Sequence, residues 1–281
     1  MKNIKKFEQF INEDLNMDLG PSQESSLSPY NPKIDYTNLT YKGPEQDIIT
    51  LCQKADQYGV KSVCVRPDKV RLAADELEDS DVLVCTVVSF PQTKGTTTDS
   101  GTMTTEQKVA ETKEVLVVGA DEVDMVFNWN LLLDNWDDSE SNPIDCIDEE
   151  TYDYLVNDVQ TLADICHSKT NKLGEPVILK VIVESGMLSE KQVEVCTHIC
   201  IDAGADFIKT STGMVAVGAE VNKIMAMKKV IEEEGSDLNI KASGGVNKNN
   251  ITILDPLVDR FGMGFGAVDE INGIGVNKSS Y

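Results

Sequence analysis

Three lysines stand on short apolar runs, where an ammonium needs either a partner or a lost proton. Lys209 closes Ala205-Asp206-Phe207-Ile208-Lys209 and precedes Thr210-Ser211-Thr212-Gly213. Lys180 lies inside Val177-Ile178-Leu179-Lys180-Val181-Ile182-Val183, and Lys241 inside Asn239-Ile240-Lys241-Ala242-Ser243-Gly244-Gly245. Burying an ammonium is costly unless it is paired or deprotonated. Three such lysines converging on one interior crowd positive charge and push at least one towards a neutral, nucleophilic amine. That is the chemistry of a Schiff-base enzyme. Asp124, in Glu122-Val123-Asp124-Met125-Val126-Phe127, is an acid in the same kind of setting. Strand alternation sends Asp124, Lys180 and Lys209 inward with every second neighbour. One buried charge is commonly a salt-bridged structural feature; four on successive strands read as a catalytic constellation.

The elements that must position these residues follow from the hydrophobic periodicity. Strands are expected over 33–35, 60–65, 82–88, 122–127, 177–183, 206–211, 238–242 and, weakly defined, 258–262. Helices are expected over 44–58, 67–77, 104–118, 152–166, 189–203 and 220–234. Strand–helix units repeated about eight times predict an α/β fold with a parallel sheet closed into a TIM (β/α)8 barrel. A doubly wound open sheet is the alternative, but no Gly-rich dinucleotide loop follows the first strand. Residues 1–32 read as an N-terminal extension. In it Phe7, Phe10, Ile11 and Leu15 share one helical face, and a Ser/Pro/Gly-rich linker follows. Residues 33–281 then form one barrel domain with a C-terminal tail. Long loops over 91–103, rich in Thr, and 134–150, rich in acids, would project from the C-terminal rim.

With 281 residues the chain can bury a full barrel core, and its net charge of −23 makes a nucleic-acid partner implausible. No apolar run is long enough for a bilayer, and the charged N-terminus lacks a signal-peptide core. Seven cysteines, odd in number and irregularly spaced, fit reduced thiols in a cytoplasmic protein better than a disulfide framework. Cys196, His198 and Cys200 sit on one helix; the cysteines share a face but His198 does not, so core packing outweighs metal binding. His167 and His198 lie in helices away from strand ends.

These residues resemble the deoxyribose-phosphate aldolases. The likeness rests on Ile34-Asp35-Tyr36-Thr37, Ser62-Val63-Cys64-Val65, Ser89-Phe90-Pro91, Glu122-Val123-Asp124-Met125-Val126 and Leu179-Lys180-Val181-Ile182-Val183-Glu184-Ser185-Gly186. It continues through Phe207-Ile208-Lys209-Thr210-Ser211-Thr212-Gly213 and Lys241-Ala242-Ser243-Gly244-Gly245-Val246. The resemblance implies a class I aldolase that uses no metal and no cofactor. It would cleave 2-deoxyribose 5-phosphate reversibly to acetaldehyde and glyceraldehyde 3-phosphate, in nucleoside catabolism. Lys209 then matches the Schiff-base lysine, and Lys241 the cation that lowers its neighbour's pKa. Asp124 and Lys180 match the pair that shuttles the α-proton, Asp35 an acid near the substrate hydroxyls, and Tyr281 a tail residue able to assist. Cys64, Thr210, Ser211, Gly213, Ser243, Gly244, Gly245 and Gly262 match substrate-binding positions. Partners would be aldehydes and sugar phosphates, with no membrane, and with room for a homodimer.

The likeness thins at the phosphate end. Met214 and Asn247 stand where cations are common in the family, and Gly262-Met263-Gly264-Phe265-Gly266 lacks an expected pair of serines. A related aldolase with a changed acceptor or weakened phosphate grip, and a non-catalytic barrel, are the competing expectations. Four charged core positions count against the last, because an inert barrel would gain stability from apolar replacements.

Overall fold

The computed structural model describes residues 27–92, 94–95 and 100–274. The expected helix at Phe7–Leu15, the threonines at 96–98 and Tyr281 lie outside the described residues.

Eight parallel strands close into a barrel in chain order: β1 (Ile34–Asn38), β2 (Ser62–Val65), β3 (Leu83–Val88), β4 (Glu122–Val126), β5 (Ile178–Ile182), β6 (Phe207–Lys209), β7 (Asn239–Ser243) and β8 (Arg260–Gly264), with β8 pairing back onto β1. The open-sheet alternative is therefore excluded. The wall's outward positions are apolar: Val63, Val84, Val123, Leu179, Val181, Ile208, Ile240 and Phe261 are all buried in one continuous core with the helices. Burial of β-branched and large aliphatic side chains on that face is the main driving force for closure.

The surrounding helices are α1 (Glu45–Tyr58), α2 (Val70–Glu76), α3 (Thr105–Val117), α4 (Trp129–Asp134), α5 (Glu149–His167), α6 (Glu190–Asp202), α7 (Val221–Glu234), α8 (Ile251–Leu254) and α9 (Phe265–Ile271). Their ends carry local signals. Thr104 with Gln107, and Ser189 with Gln192, form capping boxes that satisfy the first free amides of α3 and α6. Gly59 and Gly235 close α1 and α7 in the left-handed conformation.

Three departures from the sequence expectations have physical causes. β1 begins after a 3-10 turn at Asn31–Lys33 and runs on to Asn38, because its polar residues are hydrogen-bonded or face the charged barrel interior. The segment 28–32, assigned to the linker on composition, is anchored. Ser28 N–H and Asn31 Nδ2 both donate to Asn272 Oδ1, and Asn31 is buried. The stretch 134–150 is partly ordered, with α4 before it, a 3-10 turn at Pro143–Cys146, and a bridge between Trp136 and Ile147. As the asparagines and Pro256 suggest, the unit between β7 and β8 holds only the four residues of α8 and a 3-10 turn.

Candidate active site

Barrel interiors are commonly filled by branched aliphatic side chains. Here the interior is ionic. Asp124 on β4 is fully buried and accepts four donors. Its Oδ2 lies 2.7 Å from Lys209 Nζ and 2.7 Å from Lys241 Nζ. Its Oδ1 lies 3.0 Å from Lys180 Nζ and 3.2 Å from the thiol of Cys85, which donates. The sheet register explains the meeting: Asp124 is level with Lys180, and Lys209 with Lys241. Lys209, 4% exposed at the end of β6, stands at the mouth of the barrel, while Lys180 and Lys241 are at 0%.

A second tier supports the first. Asp35 on β1 pairs with Lys241, with Lys180 at 3.7 Å and with Arg260 at 2.6 Å. Glu122, two residues before Asp124 on the same face of β4, takes Lys180 at 2.7 Å and Arg260 at 3.3 Å. The Arg260 guanidinium also lies over the ring of Phe207, 5.4 Å from its centroid. Asp35, Glu122 and Asp124 thus face Lys180, Lys209, Lys241 and Arg260.

Burial alone would favour the neutral forms of these groups, and the ion pairs overrule it. For Asp124, burial is outweighed by Lys180, Lys209 and Lys241, which hold the carboxyl well below its usual range. Asp35 is likewise depressed, against burial, by Arg260, Lys241 and Lys180. Burial disfavours the Lys241 ammonium, but Asp124 and Asp35 raise its pKa above the ordinary lysine value. Lys180 is raised in the same way, chiefly by Asp124. The cationic partners of Asp124 beside Lys209 are therefore fixed in their charged state.

The loops after β6 and β7 are tied to each other at the rim. Thr210 Oγ1 donates to Ser243 O and accepts from Ser243 N–H, and Ser243 Oγ donates to Ser211 O. Gly244 adopts φ +82°, and a Cβ there would come within 3.0 Å of Ser211 Cβ, so a side chain is excluded. Gly213 and Gly245 also take positive φ, and the built Cβ of Gly213 falls 3.9 Å from Gly244. Gly262 lies under the Lys241 stem: an added Cβ would sit 3.2 Å from Lys241 Cε. Cys64 is level with Cys85 on the neighbouring strand. The named positions Lys209, Lys241, Asp124, Lys180, Asp35, Cys64, Thr210, Ser211, Gly213, Ser243, Gly244, Gly245 and Gly262 thus cluster in the barrel interior and its rim. His167 and His198 pair with Asp206 and Glu234 outside it.

Four residues of this centre escaped the sequence reading. Glu122 carried a usable signal, the same alternation as Asp124. Arg260 was hidden in a Gly-rich run, and Cys85 read as an apolar core residue. Glu184 follows β5 at φ 54°, fully buried, and its carboxylate accepts Thr212 N–H and Oγ1–H. Burial pushes its carboxyl up, opposed by those bonds and by Lys209.

Among the described residues, Cys64, Cys85 and Asp124 place ligand atoms within 4.8 Å of one another, as do Asp35, Cys85 and Glu122. The carboxylates of both sets are already engaged by ammonium or guanidinium groups, so a divalent ion would have to displace them. No helix among the described residues is long and apolar enough to cross a membrane.

A closed parallel barrel with a carboxylate clamped between lysines at its mouth defines an enzyme that handles carbonyl compounds through an amine. Known proteins narrow that class. A model of the DeoC/LacD family aldolases matches residues 14–255. The deoxyribose-phosphate aldolase of Treponema denticola is 41% identical over 216 residues, 77% of this chain and 85% of that protein. That of Mycoplasmoides pirum is 38% identical over 229 residues, 82% of this chain and 89% of that protein. A Coccidioides immitis crystal structure, described as a candidate deoxyribose-phosphate aldolase, superimposes with a TM-score of 0.72 at 27% identity, covering 96% of each chain. This chain belongs to the DeoC/LacD family of aldolases and is a lyase.

Proposed function

We propose that this chain is a deoxyribose-phosphate aldolase working through an imine on Lys209. The observation that carries the reading is the shared Asp124 carboxylate, 2.7 Å from both Lys209 and Lys241. Asp35, Glu122 and Asp124 are held by Lys180, Lys241 and Arg260, and Lys209 is the base at the open end. A free amine there attacks C1 of the open-chain sugar; water leaves, and the protonated imine becomes an electron sink. The C2–C3 bond then breaks as the C3 hydroxyl gives up its proton, glyceraldehyde 3-phosphate departs, and an enamine remains on Lys209. The Asp124 carboxylate, with Lys180 holding its other oxygen, takes up the proton released by the C3 hydroxyl and delivers it to the enamine carbon within hydrogen-bond reach. Hydrolysis releases acetaldehyde and restores the amine. Lys241 supplies the fixed positive charge that disfavours a second ammonium beside it. Asp35 anchors Lys241 and so acts as a positioning residue.

The sugar end falls to the rim of β6 and β7. Ser211 Oγ is buried and without a hydrogen-bond partner among the described residues, a donor suited to a substrate oxygen. The described residues after β6, β7 and β8 offer few cations. Lys248 is paired with Glu270, and the Asn247 side chain is turned back onto Gly245 O at 2.7 Å. A phosphate there is held by backbone amides and hydroxyls. Each missing charge-assisted bond forfeits about 1.5–3 kcal/mol, or about tenfold or more in binding. A second reading, an aldolase that accepts unphosphorylated sugars, follows from the same observation. Comparing kcat/KM for 2-deoxyribose with and without the 5-phosphate tests both. Cleavage of the phosphate ester with a modest advantage over the free sugar is expected. Failure to cleave either sugar would refute the assignment. A homodimer is proposed as the assembly, to be checked by light scattering.

A further inference from the structure

Seven cysteines are present, and two of them enter the catalytic centre. Cys64 on β2 and Cys85 on β3 are direct register partners, and with Val87 they form a small buried cluster capped by Leu39 and Phe90. Neighbouring strands lie about 4.7–4.9 Å apart, inside the Cα separation of about 4.4–6.8 Å that a disulfide spans. The two sulfurs and an Asp124 oxygen lie within 4.8 Å of one another. Cys85 Sγ donates to Asp124 Oδ1 and accepts from Lys180 Nζ at 3.4 Å.

We propose that Cys64 and Cys85 are a peroxide-oxidisable dithiol whose disulfide form withdraws a hydrogen-bond donor from Asp124 and switches the aldolase down. In the first step the Cys64 sulfur attacks one peroxide oxygen. The O–O bond breaks, the departing hydroxide takes a proton to become water, and Cys64 is left as a sulfenic acid. The Cys85 sulfur then attacks the Cys64 sulfur; the S–O bond breaks and a second water leaves with the thiol proton. Two thiols are oxidised and one peroxide is reduced to two waters. A dithiol reductant reverses the change.

Chemistry distinguishes this pair from the other cysteines. The adjacent Cys85 thiol, together with Lys241 and Lys209, lowers the Cys64 pKa despite burial, which favours the thiolate that peroxide needs. Burial pushes Cys52 and Cys166 up to about 12 and raises Cys196, Cys200 and Cys85 as well, so Cys64 is the attacking thiol of the pair. Cys196 and Cys200 are also buried together on α6, but neither touches the charged cluster. Access rests on the aldolase reading: a site that admits acetaldehyde to Lys209 admits the smaller peroxide to Cys64, whose sulfur lies within 4.8 Å of an oxygen of the Asp124 carboxylate that holds Lys209. Once the disulfide forms, Oδ1 keeps Lys180 alone while Oδ2 keeps Lys209 and Lys241, and the balance of donors that orients the carboxylate on the path of the proton is changed.

The test treats the full chain with hydrogen peroxide, quenches it, and maps peptides without reductant while cleavage activity is followed. A Cys64–Cys85 linked peptide, lighter by two hydrogens, is expected to accumulate in step with the loss of activity, and dithiothreitol should restore both. Cys64→Ala and Cys85→Ala variants, each compared with its own untreated rate, should keep that rate through the same treatment. Absence of the linked peptide, or equal peroxide loss in either variant, overturns the proposal. The peptide map needs no substrate, so a failed aldolase assignment and a failed dithiol remain distinguishable.

Discussion

Replacing Lys241 by Met removes a cation while leaving the nucleophile in place, and the consequence follows from the charge count. Asp35, Glu122 and Asp124 would then face only Lys180 and Arg260, and Lys209 would be recruited as the third positive charge. Both lysine nitrogens lie 2.7 Å from the same Asp124 oxygen, so they are at most twice that, 5.4 Å, apart. With an effective dielectric of about 20, two unit charges at that separation repel by about 3 kcal/mol. This corresponds to about a hundredfold on the step that needs a free amine. The assay is the pH dependence of borohydride trapping with acetaldehyde, run on protein whose fold is verified by circular dichroism. Trapping in Lys241→Met should be about a hundredfold slower than in the parent chain at neutral pH and should recover at high pH. Superimposable profiles for the variant and the parent would refute the electrostatic role of Lys241.

Asp124→Asn should leave imine trapping on Lys209 intact while slowing proton transfer at the adjacent carbon by about 10²–10⁴-fold, read as deuterium uptake into acetaldehyde from heavy water. Gly218→Ala should raise KM for the phosphorylated sugar more than it alters acetaldehyde trapping. Its added Cβ would fall 2.0 Å from Gly244 O, forcing the β6 and β7 loops apart. Thermal unfolding should be steady from neutral pH to about 5 and should lose temperature steeply below about 4. The sign is set by Asp35 and Asp124, whose folded pKa values lie below the unfolded ones. Their stabilisation is complete above the unfolded value and is lost as pH falls towards the folded value. A midpoint unchanged down to strong acid would contradict that assignment.

Much of the architecture was legible because polar residues inside apolar runs are rare and strand alternation is strict. Asp124, Lys180, Lys209 and Lys241 each interrupt such a run, and the helices over 44–58, 189–203 and 220–234 ended within a residue or two of their expected positions. Glu122 shows where legible information went unused, since it shares a face with Asp124. Arg260 lies in a strand whose glycines blur any periodicity, and its role depends on β8 closing against β1, a long-range pairing no local pattern encodes. The stagger between strands also decides which residues share a tier, so the meeting of Cys85 with Asp124 was invisible. Glu184 sits one residue past the expected end of β5, and its bonds to Thr212 join two loops that no local pattern brings together. The six-residue α4 was too short to register as a helical period.

On the proposed function, Lys209 is the one of three buried strand lysines that forms the imine. Borohydride reduction in the presence of acetaldehyde, followed by mass mapping of all three lysines, tests it most directly. An ethyl group is expected on Lys209 Nζ, none on Lys180 or Lys241, and no adduct in Lys209→Ala. Ethylation of Lys180 or Lys241 in place of Lys209, or no adduct at all in the parent chain, would contradict it.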